Sequence, residues 1–347
     1  MKHLTVGDLH LYDREMRSTK KMIENSSVIL EELYDFLIEN EDVVLLNING
    51  DIQHTTPINK YKRKEVAKWR NMFRKIGQLM KERFRENVKG FKLVGVDKET
   101  TKEFKVGNIN PIFTTKGNHD IDNELGHTFY DELIEEGLII NVEGLLVNVE
   151  DKKTFFSYRD YGTMQRKLPK LGKGTDIIAL EHNDILHDES ILWNVPDAEE
   201  KFIKAEEAVK GTDVTILGHL HDKIDPLYIG EEGKAPVLWQ VGSMARTAFR
   251  DNEKRDVGYG AAMEFGDVEN FITVEFDLIP YKEYFSYEKM MRNKEYENEY
   301  KDFSLKMEER ERVSMDYKED INAFDEVEQE VKDYAIKVME DIKNNNE

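Results

Sequence analysis

The sequence predicts a layered α/β fold, α+β in its arrangement, with a helical C-terminal extension. Three observations point there. Short apolar runs that read as buried strands recur through the first 280 residues, and helical patterns lie between them. The remaining residues, 281–347, carry amphipathic helical periodicity with little Gly or Pro. At 347 residues the chain exceeds one domain of about 150, so two units are expected, residues 1–280 and residues 281–347.

Each element follows from its residues. Lys2–Val6 reads as a short buried strand, and Ser18–Glu39 as a helix with Met22, Ile29, Leu33, Phe36 and Leu37 at helical spacing. Val43–Ile48 is a nearly continuous apolar run, as expected of a strand covered on both faces. Asn110–Thr115, Asp176–Leu180, Asp213–Leu217 and Pro236–Val241 are runs of the same kind. Gly137–Tyr161 alternates like hairpin strands, as do Gly258–Phe265 and Phe271–Leu278. A mixed sheet or a two-sheet sandwich is therefore expected rather than an all-parallel sheet.

Composition narrows the chemistry. Hydrophobic residues at 39% suffice for a core, while charged residues at 35% exceed the usual quarter, so the chain is globular and highly charged. The absence of cysteine excludes disulfide frameworks, thiolate nucleophiles, zinc ribbons and iron–sulfur clusters, and fits a reducing interior. The N-terminal residues hold too short an apolar stretch for a signal peptide, and nothing approaches the ~20 apolar residues of a membrane span. A cytoplasmic protein without a membrane partner is expected.

Two segments stand apart by charge. Between Lys60 and Lys92, 13 basic residues stand against three acidic ones, so the rest of the chain carries −31 where the whole carries −21. Trp69, Phe73, Ile76, Leu79, Met80 and Phe84 recur there at helical spacing, so a basic helical insertion over about residues 57–105 is expected. Its basic side is either a solvated face or a phosphate-tracking surface. In the second case Lys62, Arg63, Arg70 and Arg74 would contact nucleic acid, because fields at ~0.15 M salt decay within about 8 Å and local charge outweighs the global sum. The second segment, residues 281–347, holds 12 basic and 20 acidic residues. Val327, Val331, Ala335, Val338 and Ile342 recur within it at i+3 and i+4, a seam that buries against its own domain or a partner helix.

The ends of the strand-like runs carry the chemistry. They read Gly7-Asp8-Leu9-His10, Gly50-Asp51-Ile52-Gln53-His54, Gly117-Asn118-His119-Asp120, Glu181-His182-Asn183-Asp184 and Gly218-His219-Leu220-His221, and they hold six of the nine histidines. In layered α/β folds, loops from the carboxyl ends of several strands meet to form sites. Carboxylate, imidazole and amide groups without thiolate suit Mn²⁺, Fe²⁺ or Zn²⁺ in an open catalytic site. Asp184 reads as a solvated loop acid or a group behind the ligands.

The series D-x-H, G-D, G-N-H-D, H and G-H-x-H, in this order, resembles the calcineurin-like metallophosphoesterase superfamily, whose fold is a β-sandwich flanked by helices. The resemblance implies Asp8, His10 and His221 on one divalent metal ion, Asn118, His182 and His219 on a second, and Asp51 bridging them. It further implies a metal-bound hydroxide attacking phosphorus, with His119 stabilising the transition state or protonating the leaving oxygen and Asp120 orienting its imidazole. The ions are expected to be Mn²⁺, with Fe²⁺, Zn²⁺ or Mg²⁺ as alternatives.

The form Gly50-Asp51-Ile52-Gln53-His54 is similar to the SbcD-type nuclease subunit of double-strand-break repair, which implies that His54 contacts the substrate phosphate. The segment Gly242–Arg250 also resembles that family. On this branch the chain would be a DNA exo- or endonuclease in recombination or repair. It would act as a dimer with an SbcC-type coiled-coil ATPase held through the C-terminal helices. The alternative keeps the chemistry and changes the substrate to phosphoproteins, nucleotides or another small phosphoester.

Overall fold

The computed structural model describes residues 1–12, 21–54, 63–95, 101–103, 109–121, 127–143, 145–149, 152–163, 168, 174–186, 202–230, 236–246, 255–284, 321 and 329–345. By its contacts the chain divides into two compact units, one of residues 1–15 and 21–284, the other of residues 16–20 and 285–347.

The first unit is built on two mixed sheets. β1 (Lys2–Val6), β2 (Val43–Asn49), β5 (Ile112–Thr115) and β6 (Ile140–Asn141) run parallel, and β15 (Val257–Glu264) and β16 (Asp267–Asp277) extend them as an antiparallel hairpin. The resulting six-stranded order is β16-β15-β1-β2-β5-β6. The second sheet centres on parallel β8 (Thr154–Arg159), β9 (Asp176–Glu181), β12 (Val214–Leu217) and β14 (Val237–Gln240). β7 (Leu145–Val149), β3 (Phe91–Gly95) and β4 (Thr101–Glu103) follow antiparallel on one side, and β13 (Leu227–Tyr228) closes the other. Both features expected from the hairpin signals are present, since each sheet is mixed and the two form a sandwich.

The residues between the sheets explain why they pack. Val44, Leu45, Phe113, Ala261 and Met263 of the first sheet cluster with Val147, Phe156, Tyr158, Ile178, Val214 and Trp239 of the second, all buried. The outer face of the first sheet is covered by α1 (Met22–Glu39), α2 (Arg63–Asn87) and α3 (Phe129–Glu135). Leu46 and Ile48 share a core there with Leu30 and Leu33 of α1, Trp69, Phe73 and Ile76 of α2, and Phe129 and Leu133 of α3. A smaller cluster of Ile185, Ala205, Ala208, Val209, Leu217 and Leu238 sits by the second sheet, where β10 (Ile185–Leu186), β11 (Ile203–Lys204) and α4 (Ala205–Ala208) lie.

The basic segment differs from the expected helical insertion. Among its described residues the helix is Arg63–Asn87. Phe91–Gly95 then pairs with Leu145–Val149 and Thr101–Glu103 pairs with Lys92–Val94, so the segment ends as two strands of the second sheet. Its apolar stripe is core, because Trp69, Phe73, Ile76, Met80 and Phe84 are all buried. After β16 comes the short α5 (Tyr281–Tyr284), and in the second unit α6 (Gln329–Asn345) carries the C-terminal seam, with Val331 and Ala335 buried. Val327 lies outside the described residues. Among those residues no helix is long and apolar enough to cross a membrane.

Candidate metal centre

Five loops follow the carboxyl ends of parallel strands: residues 7–12 after β1, 50–54 after β2, 116–120 after β5, 182–184 after β9 and 218–221 after β12. The first three belong to one sheet and the last two to the other, so the site bridges the sandwich at one end of its strands. The backbone is bent sharply to bring them in. Asp8, His10, Asp51 and His219 all have positive φ, at 53°, 38°, 50° and 69°, and only Lys153 joins them among described non-glycine residues. Such conformations are held only where surrounding structure over-determines them, and they concentrate at functional sites. Gly50 makes the approach possible, since at φ 76° a Cβ would overlap the His182 ring.

Two groups of mixed ligating atoms result. Asp8, His10 and His221 form one and Asp51, His182 and His219 the other, with the atoms of each group within 4.8 Å of one another. A third group, His10, His54 and His119, offers imidazole alone and shares His10 with the first. His10 Nε2 lies 3.1 Å from His221 Nε2, and Asp8 Oδ1 lies 3.8 Å from the latter. In the second group His182 Nε2 is 3.2 Å from Asp51 Oδ2, while Asn118 Oδ1 is 3.0 Å from His219 Nδ1. Asp51 Oδ2 also lies 3.6 Å from His10 Nε2, which puts this carboxylate between the groups.

The electrostatics fit a cation. Asp8 and Asp51 are buried with at most 1% exposure, so water does not offset their charge. Asp8 Oδ2 is buried without a hydrogen-bond partner. Burial pushes the Asp8 carboxyl above its ordinary range and the His10 imidazole well below its own. Burial would lower His182 too, but the Asp51 carboxylate outweighs it and raises that ring to about 10, so the buried carboxylates favour positive charge beside them. An oxygen and nitrogen donor set with an orphaned carboxylate oxygen suits a divalent cation.

The comparisons accord with this geometry. Residues 1–223 match the calcineurin-like phosphoesterase family. The chain belongs to that family. This phosphoesterase is therefore a metal-dependent hydrolase of phosphoesters, and its Asp and His clusters are the groups able to hold the metal. No curated protein matches it. Among solved structures it is similar to a hypothetical protein from Thermus thermophilus, at 12% identity over 80% of this chain and 100% of that one, with a TM-score of 0.40. It is also similar to a conserved uncharacterized protein, a predicted phosphoesterase, from Streptococcus pneumoniae, at 14% identity over 81% and 93%, with a TM-score of 0.30.

Around the phosphoesterase's clusters, His119 and His54 come together. The 3₁₀ turn Asn118–Asp120 places the His119 N–H 2.9 Å from Asp51 Oδ1, where it donates a hydrogen bond. The His119 ring stacks on His54 at 4.6 Å and meets His10 edge-on at 4.8 Å. His54 in turn stacks on Tyr12 at 4.4 Å. Burial lowers the His119 pKa, which makes its protonated form readier to release a proton.

Asp120 differs from the expectation. Its carboxylate does not orient the His119 imidazole but accepts the Gly117 N–H at 3.1 Å and the Gln53 N–H at 3.2 Å. The reason is chain geometry, for in this tight turn the side chain folds back over the Gly117 amide of its own loop and meets the Gln53 amide of the β2 loop. Burial raises this carboxyl to about 8. Gln53, which spacing alone did not mark, continues the brace by accepting the Phe129 N–H at 2.8 Å.

The basic candidates divide. Arg70 contacts Glu132 and reaches Glu136 Oε1 at 2.8 Å, and Arg74 reaches Glu136 Oε2 at 2.7 Å, so both tie α2 to the end of α3. Lys62 lies outside the described residues, as does the side chain of Arg63. In the Gly242–Arg250 segment, Met244 N–H donates to Gly7 O and Ala245 N–H to Asp8 O, bracing the first ligand loop. Arg246 is fully buried and donates to the Arg255 and Ile279 carbonyls, so it serves as scaffold, and residues 247–250 lie outside the described residues.

Proposed function

We propose that this protein is a two-metal phosphodiesterase that cleaves DNA as an exo- or endonuclease. Asp8, His10 and His221 would hold one ion and Asn118, His182 and His219 the other, with Asp51 shared and Mn²⁺ the expected metal. When bound, the ions supply Lewis-acid activation of water and neutralise the phosphoryl charge. The chain's own residues do the rest. His119, fixed through its backbone to Asp51, protonates the leaving oxygen. His54 binds a phosphate oxygen of the substrate.

The observation that carries this reading is the stack Tyr12–His54–His119 at the edge of the ligand cluster. A second imidazole beside the general acid is what a diester needs, because both the cleaved phosphate and its flanking ester oxygens must be held. The ion pairs of Arg70 and Arg74 favour the alternative of a smaller phosphoester, since those cations are already engaged. The acidic C-terminal segment is proposed as the grip for a coiled-coil ATPase, in a dimeric assembly.

The test strips the protein of metal, restores Mn²⁺, and compares end-labelled duplex DNA, single-stranded DNA and a chromogenic phosphodiester, with the His54→Ala variant alongside. DNA cleavage by the unsubstituted protein that falls in the variant while Mn²⁺ binding is kept supports the nuclease. Hydrolysis of the small diester without DNA cleavage moves the assignment to a small phosphoester.

A further inference from the structure

Asn49 stands at the last position of β2, 1% exposed, and its side chain reaches three other strands. Nδ2 donates to the Glu181 carbonyl at 3.1 Å and to the Ile216 carbonyl at 3.1 Å. Oδ1 accepts the Thr115 hydroxyl at 3.0 Å. Its backbone carbonyl accepts from His182 Nδ1 at 2.7 Å. Every polar atom of the side chain is thus satisfied, and each contact falls on the end of a strand that leads into a ligand loop.

The distribution is selective. Glu181 precedes His182, Ile216 lies three residues before His219, and Thr115 lies three before Asn118. Those three ligands, with Asp51 two residues beyond Asn49 itself, are the complete second group. Of the first group, Asp8 and His10 follow β1, to which the Asn49 side chain makes none of these bonds, and only His221 shares a loop with the second group, two residues beyond His219. The His182 contact also fixes that ring, since the bond at Nδ1 leaves Nε2 facing Asp51.

From this juxtaposition we propose that Asn49 is a positioning residue that aligns the Asn118–His182–His219 group across the two sheets and thereby sets the affinity of that group for its metal ion. The inference rests on the two-metal reading above. A leucine or threonine of comparable size could fill the same space, but neither offers two N–H donors and an acceptor to three strands at once.

The experiment measures Mn²⁺ binding by calorimetry in full-length protein, in two backgrounds that each keep one group. His221→Ala leaves the second group and His219→Ala leaves the first. Adding Asn49→Ala is expected to weaken Mn²⁺ roughly 10–100-fold in the His221→Ala background, the range for losing a group that orients ligands, and less than about threefold in the His219→Ala background. Thr115→Val removes one contact without changing shape and is expected to give a smaller loss with the same selectivity, which keeps the test valid if Asn49→Ala folds poorly. Equal weakening in both backgrounds, or none in either, would overturn the role of Asn49 alone. Failure of the unsubstituted protein to bind Mn²⁺ would overturn the two-metal reading and this inference with it.

Discussion

Asp184 Oδ1 lies 2.8 Å from His219 Nε2, on the side of the ring away from Asn118. Tyr161 donates its hydroxyl to the other carboxylate oxygen at 3.2 Å. A carboxylate on one imidazole nitrogen fixes the tautomer and makes the other nitrogen a better ligand. Asp184→Asn is accordingly expected to raise the Mn²⁺ concentration for half-maximal diester hydrolysis about 10–100-fold, and Tyr161→Phe by less. A metal titration followed through activity checks this, and an unchanged midpoint would make Asp184 the solvated acid that its loop suggested.

His119 is held through its backbone rather than through Asp120, and its ring belongs to neither of the two carboxylate-bearing groups. His119→Ala should therefore retain metal, measured by elemental analysis, while turnover falls by roughly 10²–10⁴-fold. Asp120→Asn should behave differently. It perturbs the Gly117 and Gln53 amides and shows itself as a lower melting temperature with a proportionate loss of metal.

The α2–α3 ion pairs make a prediction about stability. Arg70, Glu132 and Glu136 are each between 24% and 33% exposed, so solvent screens them in part. A double-mutant cycle of Arg70→Ala with Glu136→Ala, read by urea unfolding, should give a coupling near the upper end of the surface range, about 1 kcal/mol. Zero coupling would leave Arg70 held by Glu132 alone.

His3 gives the fold an acid sensitivity independent of the site. It is fully buried, its ring meets Phe156 and Phe265 edge-on at 4.9 and 5.4 Å, and neither nitrogen has a hydrogen-bond partner. Burial lowers its pKa to about 3 from an ordinary 6.5. The unfolded chain takes up this proton below pH 6.5 while the folded chain does not until about 3, so this stability is complete above 6.5 and is lost as pH falls through that window. The loss approaches roughly 1.4 kcal/mol per pH unit within it. His3→Leu should flatten the pH dependence of the unfolding midpoint between about pH 6 and 4 by that amount, and a parallel curve would refute the assignment.

Much of this was legible because strand and ligand signals coincide. An apolar run ending in Gly-Asp or Gly-His marks both a buried strand and the loop at its carboxyl end, and all seven expected ligands lie in the two groups or directly beside them. What escaped depends on contacts distant in sequence. The charge run at Lys60–Lys92 reads as free cations until Glu132 and Glu136 arrive from 62 residues away. Asn49 is one more polar residue in β2 until the second sheet closes over it, and Asp184 acquires meaning only when the β12 loop folds beside it. Asp120 departs from its expected role because a neighbour of His119 in sequence is not a neighbour of its ring in space.

The left-handed backbone at Asp8, His10, Asp51 and His219 has a consequence for protein engineering. These positions hold conformations that most side chains other than glycine avoid, so the three short segments that contain them do not encode their own shape. Grafted as peptides onto another scaffold, they would relax to ordinary turns and scatter their ligands. The transplantable unit is the pair of sheet ends with their interlocking amides, and a minimal designed version of this centre must carry that frame before it carries any of the ligands.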